Sequence, residues 1–168
     1  NGYVRLIKLF PDHRDTESIT QAGVRETFTV NEFGQKETHT TPDGMVEETQ
    51  FNADGFISFR KLGEFQTRFS YAPRTGATSD PGLRGRPSQV IDPKGIPTDY
   101  VYDELDQLVS MTRAGAGMSH AYDSAGNLIR KTVDIEVGRT LVQTNGYNRL
   151  GFLTASALLD VETGNGTT

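Results

Sequence analysis

Three short segments of this chain repeat one another closely enough to define a common frame. They are Tyr102–Leu108, Tyr122–Leu128 and Tyr147–Leu153, which read YDELDQL, YDSAGNL and YNRLGFL. The frame is an aromatic or β-branched residue, then Asp or Asn, two free positions, usually Gly, one further residue and usually an aliphatic one. Phe51–Ile57 and Val30–Gly34 follow the same frame. The pattern is typical of a strand end, a turn and a strand start.

The copies of the frame recur along the chain at a nearly constant spacing. They start at residues 30, 51, 71, 102, 122 and 147, so the intervals are 21, 20, 31, 20 and 25 residues. Self-similarity at such a period indicates a repeat array, in which each unit buries its face against its neighbours.

The conserved positions of the frame have a physical reason. Asp or Asn in second place can hydrogen-bond its own backbone two residues on, and Gly in fifth place supplies the positive φ that closes the turn. We therefore predict a structural role in the repeat for a set of aromatic, Asp/Asn and Gly residues. They are Phe51, Asn52, Gly55, Tyr102, Asp103, Tyr122, Asp123, Gly126, Tyr147, Asn148 and Gly151.

The residues between the turns predict strands. Phe65, Thr67, Phe69 and Tyr71 alternate with polar residues, which is the period of a strand with one buried face. No segment predicts a long helix, although residues 154–159 could form one short helical turn. The predicted fold is all-β: an antiparallel β-hairpin repeat array of about twelve strands, forming a curved or spiralling sheet.

The repeated segments resemble the YD repeat of the RHS family, whose bacterial members include polymorphic toxins and toxin-complex components; teneurins are animal relatives. The resemblance covers residues 30–153 and is strongest from Tyr102 to Leu128. Two units depart from the pattern. Asp106 stands where the turn Gly is expected, and the unit at Tyr71 lacks the acid and carries one extra residue. The register of these two units is the least defined.

The frame also divides the chain. Residues 1–29 fit it poorly and are predicted to be a degenerate β unit, residues 30–153 form the repeats, and residues 154–168 form a tail that should fray. Six Gly and Pro residues between 72 and 87 leave no room for a long strand, so we predict an inserted loop there.

Composition excludes several classes of function. The net charge is −5 without a dense basic cluster, which argues against a nucleic-acid partner, and no apolar run is long enough for membrane insertion. The chain has no Cys, so disulfides and thiolate metal sites are excluded, and this is compatible with export. Because the sequence begins at Asn1 without Met, we expect it to be a fragment of a longer protein.

No constellation of residues predicts catalysis. His13, His39 and His120 lack metal-ligand spacing, and no nucleophile is paired with a base. Asp92-Pro93-Lys94-Gly95 is similar to part of the RHS self-cleavage motif, but its surroundings differ, so we assign no protease role to Asp92. We expect no enzyme activity, no cofactor and no metal. Recurring acids can bind calcium, but here a whole hairpin separates each from the next, and turn bonding accounts for the interchange of Asp and Asn.

The resemblance implies a function. RHS sheets coil into a hollow shell, so the chain is expected to be a non-catalytic wall segment that encloses or presents a toxin or other cargo domain. Its expected partners are the rest of its own array and that cargo, and its expected location is secreted or at the cell envelope. The alternative is a cell-surface module that binds carbohydrate or protein through exposed tyrosines. Side-chain exposure separates the two hypotheses.

Overall fold

The computed structural model describes residues 6–9, 15–19, 25–71 and 85–162, with side chains described in the last two ranges. Fourteen strands and no helix occur in these ranges. The strands are β1 (Leu6–Leu9), β2 (Asp15–Ile19), β3 (Arg25–Val30), β4 (Lys36–Thr40), β5 (Val46–Phe51), β6 (Ile57–Leu62), β7 (Phe65–Ser70), β8 (Gln89–Ile91), β9 (Pro97–Tyr102), β10 (Leu108–Arg113), β11 (Ala116–Tyr122), β12 (Leu128–Glu136), β13 (Arg139–Tyr147) and β14 (Leu153–Glu162).

These strands belong to two compact units. The first takes in the described residues of Asn1–Phe69 together with Ile91–Lys94, and the second takes in those of Ser70–Val90 together with Gly95–Thr168. Within each unit the strands pair in chain order, and from β1 to β7 and from β9 to β14 each strand is antiparallel to the next. The predicted all-β array of antiparallel hairpins is confirmed.

The strand count exceeds the expected twelve at both ends of the array. Residues 1–29, predicted to be a degenerate β unit, contain β1, β2 and most of β3. Residues 10–14 between β1 and β2 lie outside the described residues, as do residues 72–84 of the predicted inserted loop.

The segment predicted to be a tail is paired over most of its length. β14 spans Leu153–Glu162 and pairs with β13 from Tyr147↔Leu153 to Arg139↔Glu162, and residues 163–168 lie outside the described residues. The helical turn considered for residues 154–159 was wrong. The alternating Ala155, Ala157, Leu159 and Val161 suit the pleat of a strand, and the neighbouring β13 supplies the backbone partners.

Burial within the sheet is shallow. Among the described residues the apolar side chains that become buried are Phe28 and Val142, which are 8% and 7% exposed, and Thr98 is the buried polar residue. Phe65 was expected on a buried face but remains 69% exposed, because it follows directly on the turn that joins β6 to β7 and lies opposite the exposed Leu62. Thr67, Phe69 and Tyr71 are half-buried.

No helix of the described residues has the length and apolar character needed to cross a membrane.

Candidate functional site: the repeat turn and its contacts

Five turns share one hydrogen-bonding pattern built on an Asp or Asn side chain. At Asp123 the Oδ1 atom accepts from the backbone N–H of Ala125 and of Asn127, both at 2.9 Å. The same two bonds, to the residues two and four positions on, occur at the other Asp and Asn of the frame. These are Asn31, Asn52, Asp103 and Asn148. One side-chain oxygen thus accepts hydrogen bonds from two backbone N–H groups that the turn would otherwise leave without a partner.

The fifth position of the frame has the left-handed backbone that the turn needs. Gly55, Gly126 and Gly151 have φ of 82°, 83° and 79°. The N–H of Gly126 donates to the carbonyl of Asp123 at 3.0 Å, and Gly55 and Gly151 make the equivalent bond. A residue with a Cβ is strained in this region, and a β-branched residue most of all.

Asp106 takes the same conformation without being Gly. Its φ is 66°, and its N–H donates to the carbonyl of Asp103 like the glycines do. Its carboxylate oxygen Oδ2 lies 2.8 Å from Nε of Arg86, with the Asp106 side chain only 10% exposed. The Arg86 guanidinium also lies 5.5 Å from the ring centre of Tyr102. Asp106 therefore holds the described end of the inserted loop, which Gly could not do.

A β-bulge lies at the base of several of these turns. The strand register shifts at Gln50/Phe51, at Ala121/Tyr122 and at Gly146/Tyr147. The extra residue belongs to the strand that follows the turn, because the pairing skips Ser58, Ile129 and Thr154. The aromatic residue that opens the frame therefore lies opposite the bulged strand.

In the second unit the aromatic residue of the frame joins one repeat to the preceding one. The hydroxyl of Tyr122 donates to the carbonyl of Leu108 at 2.9 Å, and the hydroxyl of Tyr147 donates to the carbonyl of Leu128 at 3.1 Å. Both acceptors are the first strand residue after the preceding turn. Tyr102, Tyr122 and Tyr147 are half-buried, and burial raises the pKa of Tyr102 above its usual value.

A second donor reaches each of these carbonyls from two positions before the tyrosine. His120 Nδ1 lies 3.1 Å from the Leu108 carbonyl, and Asn145 Nδ2 donates to the Leu128 carbonyl at 2.9 Å. Because a carbonyl oxygen can only accept, the proton of His120 lies on Nδ1. Each of these two repeats is therefore joined to the one before it through two side chains and one carbonyl.

The first unit uses different contacts between its repeats. The side-chain amide of Gln35 donates to the carbonyl of Gly55 at 2.8 Å, which connects two turns directly. On the sheet face, the ring of His39 stacks on Phe28 with the centres 4.7 Å apart, and its nitrogens lie 3.4 and 3.8 Å from carboxylate oxygens of Glu26 and Glu47. Phe51 opens the frame here and has no hydroxyl to donate.

The described residues show no grouping suited to metal binding, since no three or more of His, Asp or Glu converge. His13 lies outside the described residues. The carboxylate of Asp123 has a pKa below its usual value, because the Asn127 side chain donates to it and backbone N–H groups add to this. These groups stabilise turns, and nothing in their arrangement supplies a nucleophile beside a base.

Sequence reasoning missed the bonds that link the repeats. The sequence predicts neither the hydroxyl acceptors of the frame tyrosines nor the Arg86 partner of Asp106. A signal was present, since His120 and Asn145 are polar residues at the position two before a frame tyrosine. A donor on a face expected to be apolar indicates a buried acceptor nearby.

One segment of the chain matches the model of a known family. The family model described as RHS Repeat matches residues 83–117. None of the curated proteins compared with the chain matches its sequence significantly.

Solved structures share the fold over most of the chain. The chain is similar to a component of the Photorhabdus luminescens Tc holotoxin pore, with a TM-score of 0.64, 14% identity and 86% of this chain covered. It is also similar to the crystal structure of TcdB2-TccC3 without the hypervariable C-terminal region, with a TM-score of 0.65, 15% identity and 89% covered. The chain spans 8% and 9% of the length of those two chains. The family match confirms the resemblance that the motifs predict, since residues 83–117 match an RHS repeat. The solved structures show that the chain shares their fold over most of its length.

Proposed function

We propose that this chain is a non-catalytic wall segment of a YD/RHS-repeat shell that encloses or presents a toxin or another cargo domain. Its partners are then the remainder of its own array and the cargo, and its location is outside the cell or at the cell envelope. The similar Tc structures contain TccC3 together with TcdB2, which supports a repeat array that works beside another component.

The observation that carries the proposal is the state of the frame tyrosines. A carbohydrate-binding row needs exposed rings and free polar groups, whereas Tyr122 and Tyr147 are half-buried and donate their hydroxyls to carbonyls of the preceding repeat. The side chains that the frame repeats are therefore engaged in joining the repeats to each other. That arrangement suits a wall.

The alternative of a glycan-binding module has its best support in the first unit. A shallow depression between two turns is lined by Phe33, Phe51, Gln35 and Asn52, and Phe33 is 79% exposed. However, the Asn52 oxygen accepts two backbone N–H groups and the Gln35 amide donates to Gly55. Two of the polar side chains that line the depression are therefore already engaged within and between the turns.

Sedimentation velocity over a range of concentrations, together with glycan-array screening, tests the proposal. The wall hypothesis predicts association through exposed strand edges and no glycan signal, because unpaired backbone groups of an edge strand seek partners. Leu159→Lys on β14 is the control, since a charged edge residue should weaken that association. A stable monomer that binds a defined glycan, and loses it in Phe33→Ala, would overturn the proposal in favour of the binding module.

A further inference from the structure

The contacts between repeats in the second unit follow two rules of position. In the first, the tyrosine of a repeat donates to the carbonyl five residues after the Asp of the preceding turn. Tyr122 reaches Leu108, which is five residues after Asp103, and Tyr147 reaches Leu128, which is five after Asp123.

In the second rule, the residue four positions after the Asp or Asn contacts the Gly of the next turn. A Cβ built on Gly126 would lie 3.4 Å from Oε1 of Gln107, and one built on Gly151 would lie 3.8 Å from Oδ1 of Asn127. The first unit repeats the contact, since a Cβ on Gly55 would lie 3.3 Å from Nε2 of Gln35. Within each unit, successive turns of the frame therefore lie against one another.

The last turn, at Asn148, presents both elements without a described partner for them. Its fourth following residue is Phe152, which is 65% exposed, and its fifth is Leu153, the counterpart of Leu108 and Leu128. All ten residues of β14 are exposed, and the strand pairs with β13 along one edge. The apolar Leu158 and Leu159 are 66% and 57% exposed.

We propose that β14, Phe152 and the Leu153 carbonyl form a docking site for one further YD hairpin strand. The strand pairs antiparallel with the outer edge of β14, its frame tyrosine donates to the carbonyl of Leu153, and the Gly of its turn lies over the ring of Phe152. This inference rests on the proposed array function and names the partner that the exposed edge accepts.

The chemistry of β14 restricts which strand fits. If the incoming strand repeats the way β13 sits on β12, where Val133 pairs with Leu141 and Thr132 with Val142, then Leu158 and Ala157 face apolar residues. Asp160 and Glu162 lie at the end where such a strand begins. Arg139 of β13 already binds Asp160 through Nε at 2.9 Å, so Glu162 supplies the negative charge that an incoming basic residue would meet. The site therefore favours a strand that begins with a basic residue, is apolar in the middle and ends in Tyr followed by Asp or Asn.

The chain itself contains such a strand, which provides the test. A second copy of residues 139–152 is fused after Thr168, so that the intervening residues can turn the added strand back along β14 at high effective concentration. A fusion with the same residues in scrambled order is the matched control. Hydrogen exchange of the β14 amides and the melting temperature are measured for both.

Docking predicts that exchange of the outward β14 amides slows by at least about tenfold relative to the scrambled fusion. Changing the tyrosine of the added copy to Phe should reduce that protection about fivefold, because it removes one hydrogen bond. The host change Phe152→Gln should leave protection within about threefold, because Gln107 holds the same position in its own turn.

Equal exchange in the two fusions would overturn the proposal, as would equal protection by the Tyr and Phe copies. Exchange is measured at protein concentrations at which the unextended chain sediments as a monomer, so that slowing in the fusion reports the added strand and not a second copy. If the added strand does not dock but the chain associates without binding glycans, the docking site is wrong and the wall function stands. If exchange slows in a monomer that binds glycans, the docking site is supported and the wall function is wrong.

Discussion

The two units build the same turn but join their repeats differently. In the first unit Asn31 and Asn52 set the turns, and Gln35 connects one turn to the next through the carbonyl of Gly55. In the second unit the turns are equally set by Asp or Asn, but Tyr122 and Tyr147 also reach across to the preceding repeat. The Asp/Asn and Gly positions of the frame therefore specify the turn, and the aromatic position specifies the coupling between repeats.

Replacing a turn glycine tests whether the turn is the part that both units share. Gly126→Val should lower the free energy of unfolding by about 1 to 3 kcal/mol, because a β-branched residue tolerates positive φ poorly. Gly55→Val should cost at least as much, since its Cβ would also lie 3.3 Å from Gln35. Thermal unfolding followed by circular dichroism measures both.

The control for this comparison is Gly146→Ala, which lies in β13 and whose Cβ would make an ordinary 3.6 Å contact with Ala155. It should change stability little. If Gly126→Val leaves the melting temperature unchanged, the assigned register of the repeats is wrong.

Removing the tyrosine hydroxyls tests the difference between the units. Tyr147→Phe should lower the free energy of unfolding by about 1 kcal/mol, because the Leu128 carbonyl loses a partner in a half-buried position. The opposite change in the first unit, Phe51→Tyr, should not stabilise the chain, because the repeats there are joined through Gln35. A gain of stability in Phe51→Tyr as large as the loss in Tyr147→Phe would remove the distinction between the units.

The Asp106 turn offers a third test, specific to the second unit. Asp106→Asn keeps a residue that tolerates positive φ but removes the ion pair with Arg86, and it should cost about 0.5 to 1 kcal/mol. Arg86→Gln should cost a similar amount, and the double variant should cost no more than either single one if the pair acts as a unit. Additive losses measured by urea unfolding would show that the two residues act separately.

Sequence alone predicted the features that depend on local backbone geometry. The strand period and the hairpin fold followed from alternation, and the turn positions of Gly55, Gly126 and Gly151 followed from the need for positive φ. Contacts between residues far apart in sequence did not follow, because the acceptor of the Tyr147 hydroxyl is a backbone carbonyl 19 residues away and carries no residue-type signal. Strand β14 was missed because its end lacks a turn motif, and pairing to β13 determines it.

The choice between Asp and Asn in the turn provides the smallest and most specific test. Asn52 and Asn148 make the same two backbone bonds as Asp123, so Asp123→Asn should preserve the turn at neutral pH. Asp123 differs in having a pKa below its usual value, mainly because Asn127 donates to its carboxylate.

A carboxyl whose pKa is lower in the folded state stabilises that state above its unfolded pKa of about 3.9, and this contribution is lost as pH falls through the folded value. Melting temperature measured from pH 6 down to about pH 2.5 should therefore decline less steeply in Asp123→Asn than in the parent chain, with the curves converging in shape above about pH 5. The same change at a position already occupied by Asn is impossible, so Asn148→Asp serves as the reciprocal variant and should steepen the acid decline. Identical acid limbs in all three proteins would show that these turn carboxylates contribute nothing as charges, and that Asp and Asn are equivalent in the turns of the second unit.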